Sequence, residues 1–427
     1  MASTGLSSSA ATATPEPAGT DILVGLLSCR DAGTIGTVAR AVRDGLANHF
    51  GTLAARVVLA TEGSEGETAG RVREALAGSD DRFEIAPCRA GTALDMPYHG
   101  IPGKPHALQA LLTRAQALDA RACLILDAGV STLTPHWIRW LAGPIFEHEV
   151  DLVSPYYDRH AYEGALTKGI VAPLVRALYG VRLRQPAAAE FACSRRMVDW
   201  LLEEDIWDRE GAPVGIDLWL TTAAAAGDFR LAEASLGARV SAGRGEEALD
   251  LATTLAQVVG SLFVDLDARV EIWQRRRGSV AVPLFGEPHG GGSLEAAAVD
   301  PERLIESYRL GYRELRDLWT WILPARTIVD LGRLVNAPAA GFRLDDGLWA
   351  RVVYDFALGY RLRVLARDHL LRSLVPLYLG WLASFVLQVR GLSGAAVDER
   401  LDRLGGAFEA EKSYLIAKWR WPERLRT

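Results

Sequence analysis

Between Asp21 and Asp127, four short apolar runs alternate with segments of helical periodicity, and this alternation limits the possible folds more than any other feature of the chain. Residues 21–29 (DILVGLLSC), 56–61, 83–88 and 122–127 have the length and composition of buried strands. Residues 34–50, 68–77 and 104–118 lie between them and repeat their apolar positions at helical spacing. Strands and helices in this order predict an α/β fold, a mostly parallel sheet with helices on both faces. Ligands of such sheets bind beyond the carboxyl ends of the strands. The loops Cys29-Arg30-Asp31, Thr61-Glu62-Gly63 and Asp127-Ala128-Gly129 all begin at those ends, so they are expected to converge on one crevice.

Further along, 151–157 reads as a strand, 164–178 and 216–226 as helices, and 229–236 as another strand. The character then changes. Residues 248–276 are helical, 278–298 form a Gly/Pro-rich connection, and from Pro301 onward helix follows helix, with 351–389 the longest periodic stretch. The expected organisation is a disordered tail over 1–20, an α/β domain over 21–245 and an α-helical domain over 246–427. A chain of 427 residues with 49% hydrophobic content can fill two such cores. Residues 373–389 carry no charge, but the run is slightly short for a bilayer span and contains Pro376 and Gly380. A buried helix is expected there rather than a membrane segment. With a net charge of −6 and no segment dense in Lys and Arg, no nucleic-acid partner is expected. Four cysteines without metal-ligand spacing read as reduced thiols of a cytoplasmic protein.

Several polar residues fall where chemistry would take place. Asp127 closes the fourth strand. Lys104 stands behind Gly103 at a helix start, where an ammonium and free backbone N–H groups can together meet a diphosphate; an exposed turn lysine has the same pattern. Glu62 lies in a loop whose acids can accept hydrogen bonds from a base or ribose, although Ser64 and Glu67 also have capping-box spacing. Arg159 follows a strand ending Tyr156-Tyr157 and offers a planar fork to a carboxylate, with the Thr167 hydroxyl eight residues on. Asp217 lies in a first helical turn, a placement the helix dipole favours in any case.

In this order the segments resemble the retaining mannosylglycerate and glucosylglycerate synthases, glycosyltransferases with a GT-A nucleotide-sugar-binding, Rossmann-like domain followed by helices. The resemblance runs from about Ile22 to Trp419. It is carried by PGK at 102–104, the strand into Asp127, PHWI at 135–138, RQP at 184–186 and GID at 215–217, and by VYDFA and RDHLLRSL in the helical tail. It implies a nucleoside diphosphate sugar donor, a glucose nucleotide or GDP-mannose, and D-glycerate or a similar small hydroxy acid as acceptor. It implies transfer with retention, a Mg²⁺ or Mn²⁺ ion, and a homo-oligomer. By the same resemblance Arg159 and Thr167 grip the acceptor carboxylate, and Asp217 and Asp127 are the catalytic acids. Lys104, Gly103, Glu62, Asp127, Gln185, Ala188, Ala189 and Arg239 fall on the donor side.

Three departures accompany it. Gly129 stands where the family has its second metal-binding acid, Ser241 where it has a metal-binding histidine, and Ala187-Ala188-Ala189 where it tends to have paired glycines. Two readings follow. One is a transferase with weak or no metal dependence, in which Arg239, Arg244 and Lys104 stabilise the leaving diphosphate. The other is a catalytically silent homologue that binds a nucleotide sugar or a partner protein.

Overall fold

The computed structural model describes residues 19–28, 33–61, 66–77, 83–87, 104–208, 215–240, 251–287 and 299–422. Strands β1 (Ile22–Leu27), β2 (Ala55–Thr61), β3 (Phe83–Pro87) and β4 (Ala122–Asp127) alternate with helices α1 (Ile35–Phe50), α2 (Glu67–Ala75) and α3 (Lys104–Ala117). After them come α4 (Pro135–His148), β5 (Leu152–Asp158), a π-helical turn at Thr167–Val171 and α5 (Ala172–Tyr179). Then follow β6 (Val181–Arg182), β7 (Phe191–Ser194), α6 (Arg195–Glu203), α7 (Ile216–Ala226) and β8 (Leu231–Ala238). The rest comprises α8 (Leu251–Ala268), α9 (Val270–Arg275), β9 (Val280–Ala281), β10 (Leu284–Phe285), α10 (Pro301–Trp319), α11 (Ala325–Val335), α12 (Asp346–Leu362), α13 (Arg367–Val389) and α14 (Gly394–Arg420).

Eight strands form one sheet in the order β10-β8-β5-β7-β4-β1-β2-β3. The sheet is parallel except for β7, which runs antiparallel to both β4 and β5. β1 and β4 are buried at every position, as strands covered on both faces must be. Successive residues alternate between the faces. Leu23, Leu27, Val58, Cys123 and Ile125 join a core with α3, α5, α7 and the C-terminal helices. Ile22, Val24, Leu26, Val57 and Leu124 join a second core with α1, α2 and α4. Gly25 lets α3 lie close on β1, since a Cβ there would come within 2.7 Å of Leu111.

The fold class is the α/β type expected, with local differences: α4 and α6 form where no element was expected, and β8 lies two residues later than the expected 229–236. β7 has only four residues behind an alanine run, too short to announce itself, and it forms because β4 and β5 flank it on both sides. The segment expected as a plain connection after Gly278 contributes β9, paired with β6, and β10, which extends the main sheet beside β8. The helix expected from Gly164 opens with a π turn. The stretch 351–389 is divided where Arg363 takes a left-handed conformation (φ 52°) at the end of α12, and the longest helix is instead α14, with 27 residues.

The helical layer is packed through large aromatics. Trp381 on α13 stacks on Trp349 and Phe385, with ring centroids 6.1 and 5.3 Å apart. α8 and α13 are long and apolar enough to cross a bilayer by length and composition. In α13 the side chains of Leu370, Leu374, Leu377, Trp381 and Phe385 are buried in the first core. α14 ties this layer to the sheet domain: Arg176 on α5 donates to the Asp402 carboxylate at 2.7 Å and to Glu409 at 3.1 Å.

Candidate functional site

The chain runs β1 to β2 to β3 in one direction across the sheet, while β4 lies on the other side of β1, so the order reverses between β1 and β4. A crevice opens at such a point, outside the carboxyl ends of the strands. Leu27 and Asp127 are in register there. Being antiparallel, β7 starts where β4 ends, and this brings Glu190 alongside Asp127. β8 ends just before Arg239, and β5 ends just before Arg159.

Arg239 joins the two acids. Its Nε donates to both Glu190 carboxylate oxygens at 3.1 Å, and its Nη2 donates to Glu190 Oε1 at 2.7 Å and to Asp127 Oδ2 at 3.0 Å. Asp127 and Glu190 have no solvent exposure. The other Asp127 oxygen accepts the Gly129 N–H at 2.9 Å, an Asx-type turn. The residue after Arg239 is tied to the same loop, because Val240 O accepts the Ser131 N–H at 2.8 Å. Glu190 also accepts the Tyr157 hydroxyl. Burial pushes the Glu190 carboxyl up, but the Arg239 guanidinium outweighs it and the carboxyl titrates below its ordinary value. Burial and the Glu190 charge hold the Tyr157 phenol well above its ordinary value.

Lys104 and Asp217 form a second buried pair in the same region. Lys104 is fully buried; its Nζ donates to the Asp217 carboxylate and, at 3.2 Å, to the Ala189 carbonyl. Burial raises the Asp217 carboxyl above its ordinary value, against the Lys104 ammonium, which lowers it. A cavity of about 10 Å³ lies beside this pair, with Ser154, Ala188, Glu190, Asp217 and Thr221 in its wall. That is room for one water among several polar groups.

On the β5 side, the Arg159 guanidinium lies over the Tyr157 ring at 5.3 Å, and its buried Nε makes no hydrogen bond but lies 3.7 Å from the Glu163 carboxylate. Thr167 is buried at the first residue of the π turn. The next residue, Lys168, donates to the His160 and Ala161 carbonyls at 3.0 and 3.1 Å; burial, with Arg159 adding to it, lowers its pKa to about 8. The Gln185 carbonyl accepts the Ser154 hydroxyl at 3.0 Å, and its side-chain oxygen is buried without a partner. Ala188 and Ala189 are buried.

The expected residues therefore fall into two groups. Asp127, Arg239, Lys104, Asp217 and Ala189 are joined through two ion-pair clusters at the carboxyl end of the sheet, and Ala188 lines the cavity next to them. Arg159, Thr167 and Gln185 belong to neighbouring segments. Asp217, expected to meet an acceptor hydroxyl, is engaged by Lys104. Glu62, Gly103, Ser241 and Arg244 lie outside the described residues. Sequence reasoning missed Glu190, although a signal existed: a lone acid in the apolar run AAAEFAC must find a cation if it is buried. Tyr157 and Lys168 were also missed.

Among the described residues the donor set does not suit a divalent ion. Asp127 is held by Gly129 and Arg239, and Glu190, the other described acid joined to it there, stands across the guanidinium. Among the described residues, no group of three or more His, Cys, Asp or Glu could hold a metal.

No family model and no curated protein matches the chain. Among solved structures it is similar to glucosyl-3-phosphoglycerate synthase from Mycobacterium tuberculosis in complex with Mn²⁺, uridine diphosphate and glucosyl-3-phosphoglycerate. That match has 22% identity over 58% of this chain and 80% of that one, with a TM-score of 0.43. It is also similar to mannosyl-3-phosphoglycerate synthase from Rubrobacter xylanophilus, at 19% identity over 61% and 78% of the two chains and a TM-score of 0.40.

Proposed function

We propose that this protein is a glycosyltransferase that moves glucose or mannose from a nucleoside diphosphate sugar to D-glycerate or a related small hydroxy acid, with retention. The observation that carries this reading is the placement of Asp127, Arg239 and Glu190 at the point where the strand order reverses, beside the Lys104–Asp217 pair. Breaking a glycosyl phosphate bond builds negative charge on the leaving diphosphate. Preorganised cations in a dry site stabilise that charge. Arg239 and Lys104 are the candidates, with Glu62 and Gly103 towards the nucleotide and Gln185, Ala188 and Ala189 towards the sugar. Arg159 and Thr167 take the acceptor carboxylate. Asp217 takes the acceptor hydroxyl once Lys104 turns to the diphosphate.

The test is a product assay by mass spectrometry. Purified protein is given D-glycerate or 3-phosphoglycerate with a panel of glucose and mannose nucleotides. A mass corresponding to the glycosylated acid supports the reading, and its absence from every combination removes it. A second reading, a non-catalytic homologue that binds a nucleotide sugar, is favoured by one observation: Lys104 and Asp217 already satisfy each other beside a cavity of only about 10 Å³. Nucleotide-sugar binding without turnover in the same assay selects it.

A further inference from the structure

We infer that the Arg239 guanidinium is the resident cation of the diphosphate subsite, occupying the position between Asp127 and Glu190 that would otherwise suit a divalent ion. The inference rests on the nucleotide-sugar reading for the identity of the ligand, but not for the geometry. Two carboxylates with no solvent exposure face one another across a planar cation, which bonds to both at 2.7–3.1 Å. Burying two like charges this close demands a positive charge between them. A guanidinium supplies it permanently, since it does not deprotonate in proteins and needs no free ion. Its fork is fixed edge-on by Glu190, and Glu190 is itself fixed by the Tyr157 hydroxyl. The Arg239 side chain keeps 13% of its exposure, while both of its carboxylate partners keep none.

Gly129 fits this arrangement. An acid at that position would add a further negative charge beside Asp127, whose second oxygen is already satisfied by the backbone N–H of residue 129 at 2.9 Å. Glu190 is thus a positioning residue for Arg239, and Asp127 is its second anchor.

The experiment uses the full chain stripped of metal. Binding of UDP and of GDP is measured by calorimetry with Mn²⁺ and with a chelator, and Mn²⁺ binding in the absence of nucleotide is followed by electron paramagnetic resonance. The expected result is a diphosphate affinity unchanged by chelation and no stoichiometric Mn²⁺ in the native chain. Arg239→Gln should bind the diphosphate only when Mn²⁺ is present. Arg239→Lys, which keeps the charge and the fold but loses the fork, should bind it roughly tenfold more weakly without acquiring metal dependence. One Mn²⁺ per native chain, or a native affinity that collapses on chelation, overturns the inference. So does an Arg239→Lys chain that binds as well as the native one under chelation. If neither nucleotide binds under any condition, the nucleotide-sugar reading falls, while the nucleotide-free Mn²⁺ titration still decides whether the guanidinium holds the ion's place.

Discussion

Lys104 and Asp217, 113 positions apart in sequence, meet in an ion pair at the carboxyl end of the sheet, where the Lys104 ammonium also caps the Ala189 carbonyl. Removing one partner of a buried ion pair typically costs 3–5 kcal/mol, whereas replacing both with apolar groups of similar size can be close to neutral. Lys104→Met is therefore expected to lose about 3–5 kcal/mol in urea unfolding. The double change Lys104→Met/Asp217→Leu should recover most of that loss. Equal losses for the single and double variants would show that the two residues do not act as a pair.

Glu190→Gln keeps an acceptor for Tyr157 but takes the charge from beneath Arg239. Asp127 remains as the second anchor, so the expected loss of stability is smaller, about 1.5–3 kcal/mol, the usual range for a hydrogen bond to a charged group. Diphosphate affinity should fall with it, because the guanidinium is no longer held by its fork. Calorimetry with UDP alongside unfolding in urea separates the two effects.

Gly169 lies inside the π turn that begins at Thr167, and its carbonyl accepts the Trp349 indole N–H at 2.8 Å. A Cβ at 169 would collide with the Trp381 ring, so Gly169→Ala must push the turn away from the helical layer. Overpacking of this kind costs about 1–3 kcal/mol. Because Thr167 rides on the displaced turn, the KM for the acid acceptor should rise while the KM for the donor stays unchanged. A parallel rise in both would remove the turn from the acceptor side.

Asp355, buried between α12 and α14, accepts hydrogen bonds from Tyr414 at 2.8 and 2.9 Å and from Lys418 at 2.7 Å. Burial raises its pKa to about 6, against the lowering effect of Lys418 and Tyr414 and from an ordinary value of 3.8. With the folded value the higher one, the unfolded chain gives up the proton first as pH rises. This group's contribution is complete below pH 3.8 and is lost as pH climbs to about 6. The expected loss is about 3 kcal/mol over that window. Urea unfolding at a series of pH values should show that slope in the native chain and lack it in Asp355→Asn.

Hydrophobic periodicity is a local property, so the sequence by itself determined most of the elements. The run at 122–127 became β4 and the run at 216–226 became α7, with the expected ends. It also determined that Asp127 closes a strand and that Arg159 follows one, whereas β8, expected over 229–236, runs on to Ala238 and so reaches Arg239. The partners were decided by the tertiary structure. Nothing local makes the four residues of β7 a strand; that follows from β4 and β5 lying on either side with unpaired backbone, and the antiparallel direction of β7 is what sets Glu190 against Arg239. Lys104 and Asp217 were each legible as a charged residue at a helix start, but not as a pair, because only the packing of α3 and α7 on the sheet brings their side chains together. A charge can be read from sequence, but once it is buried its cost depends on the nearest opposite charge, and the register of the sheet sets that distance.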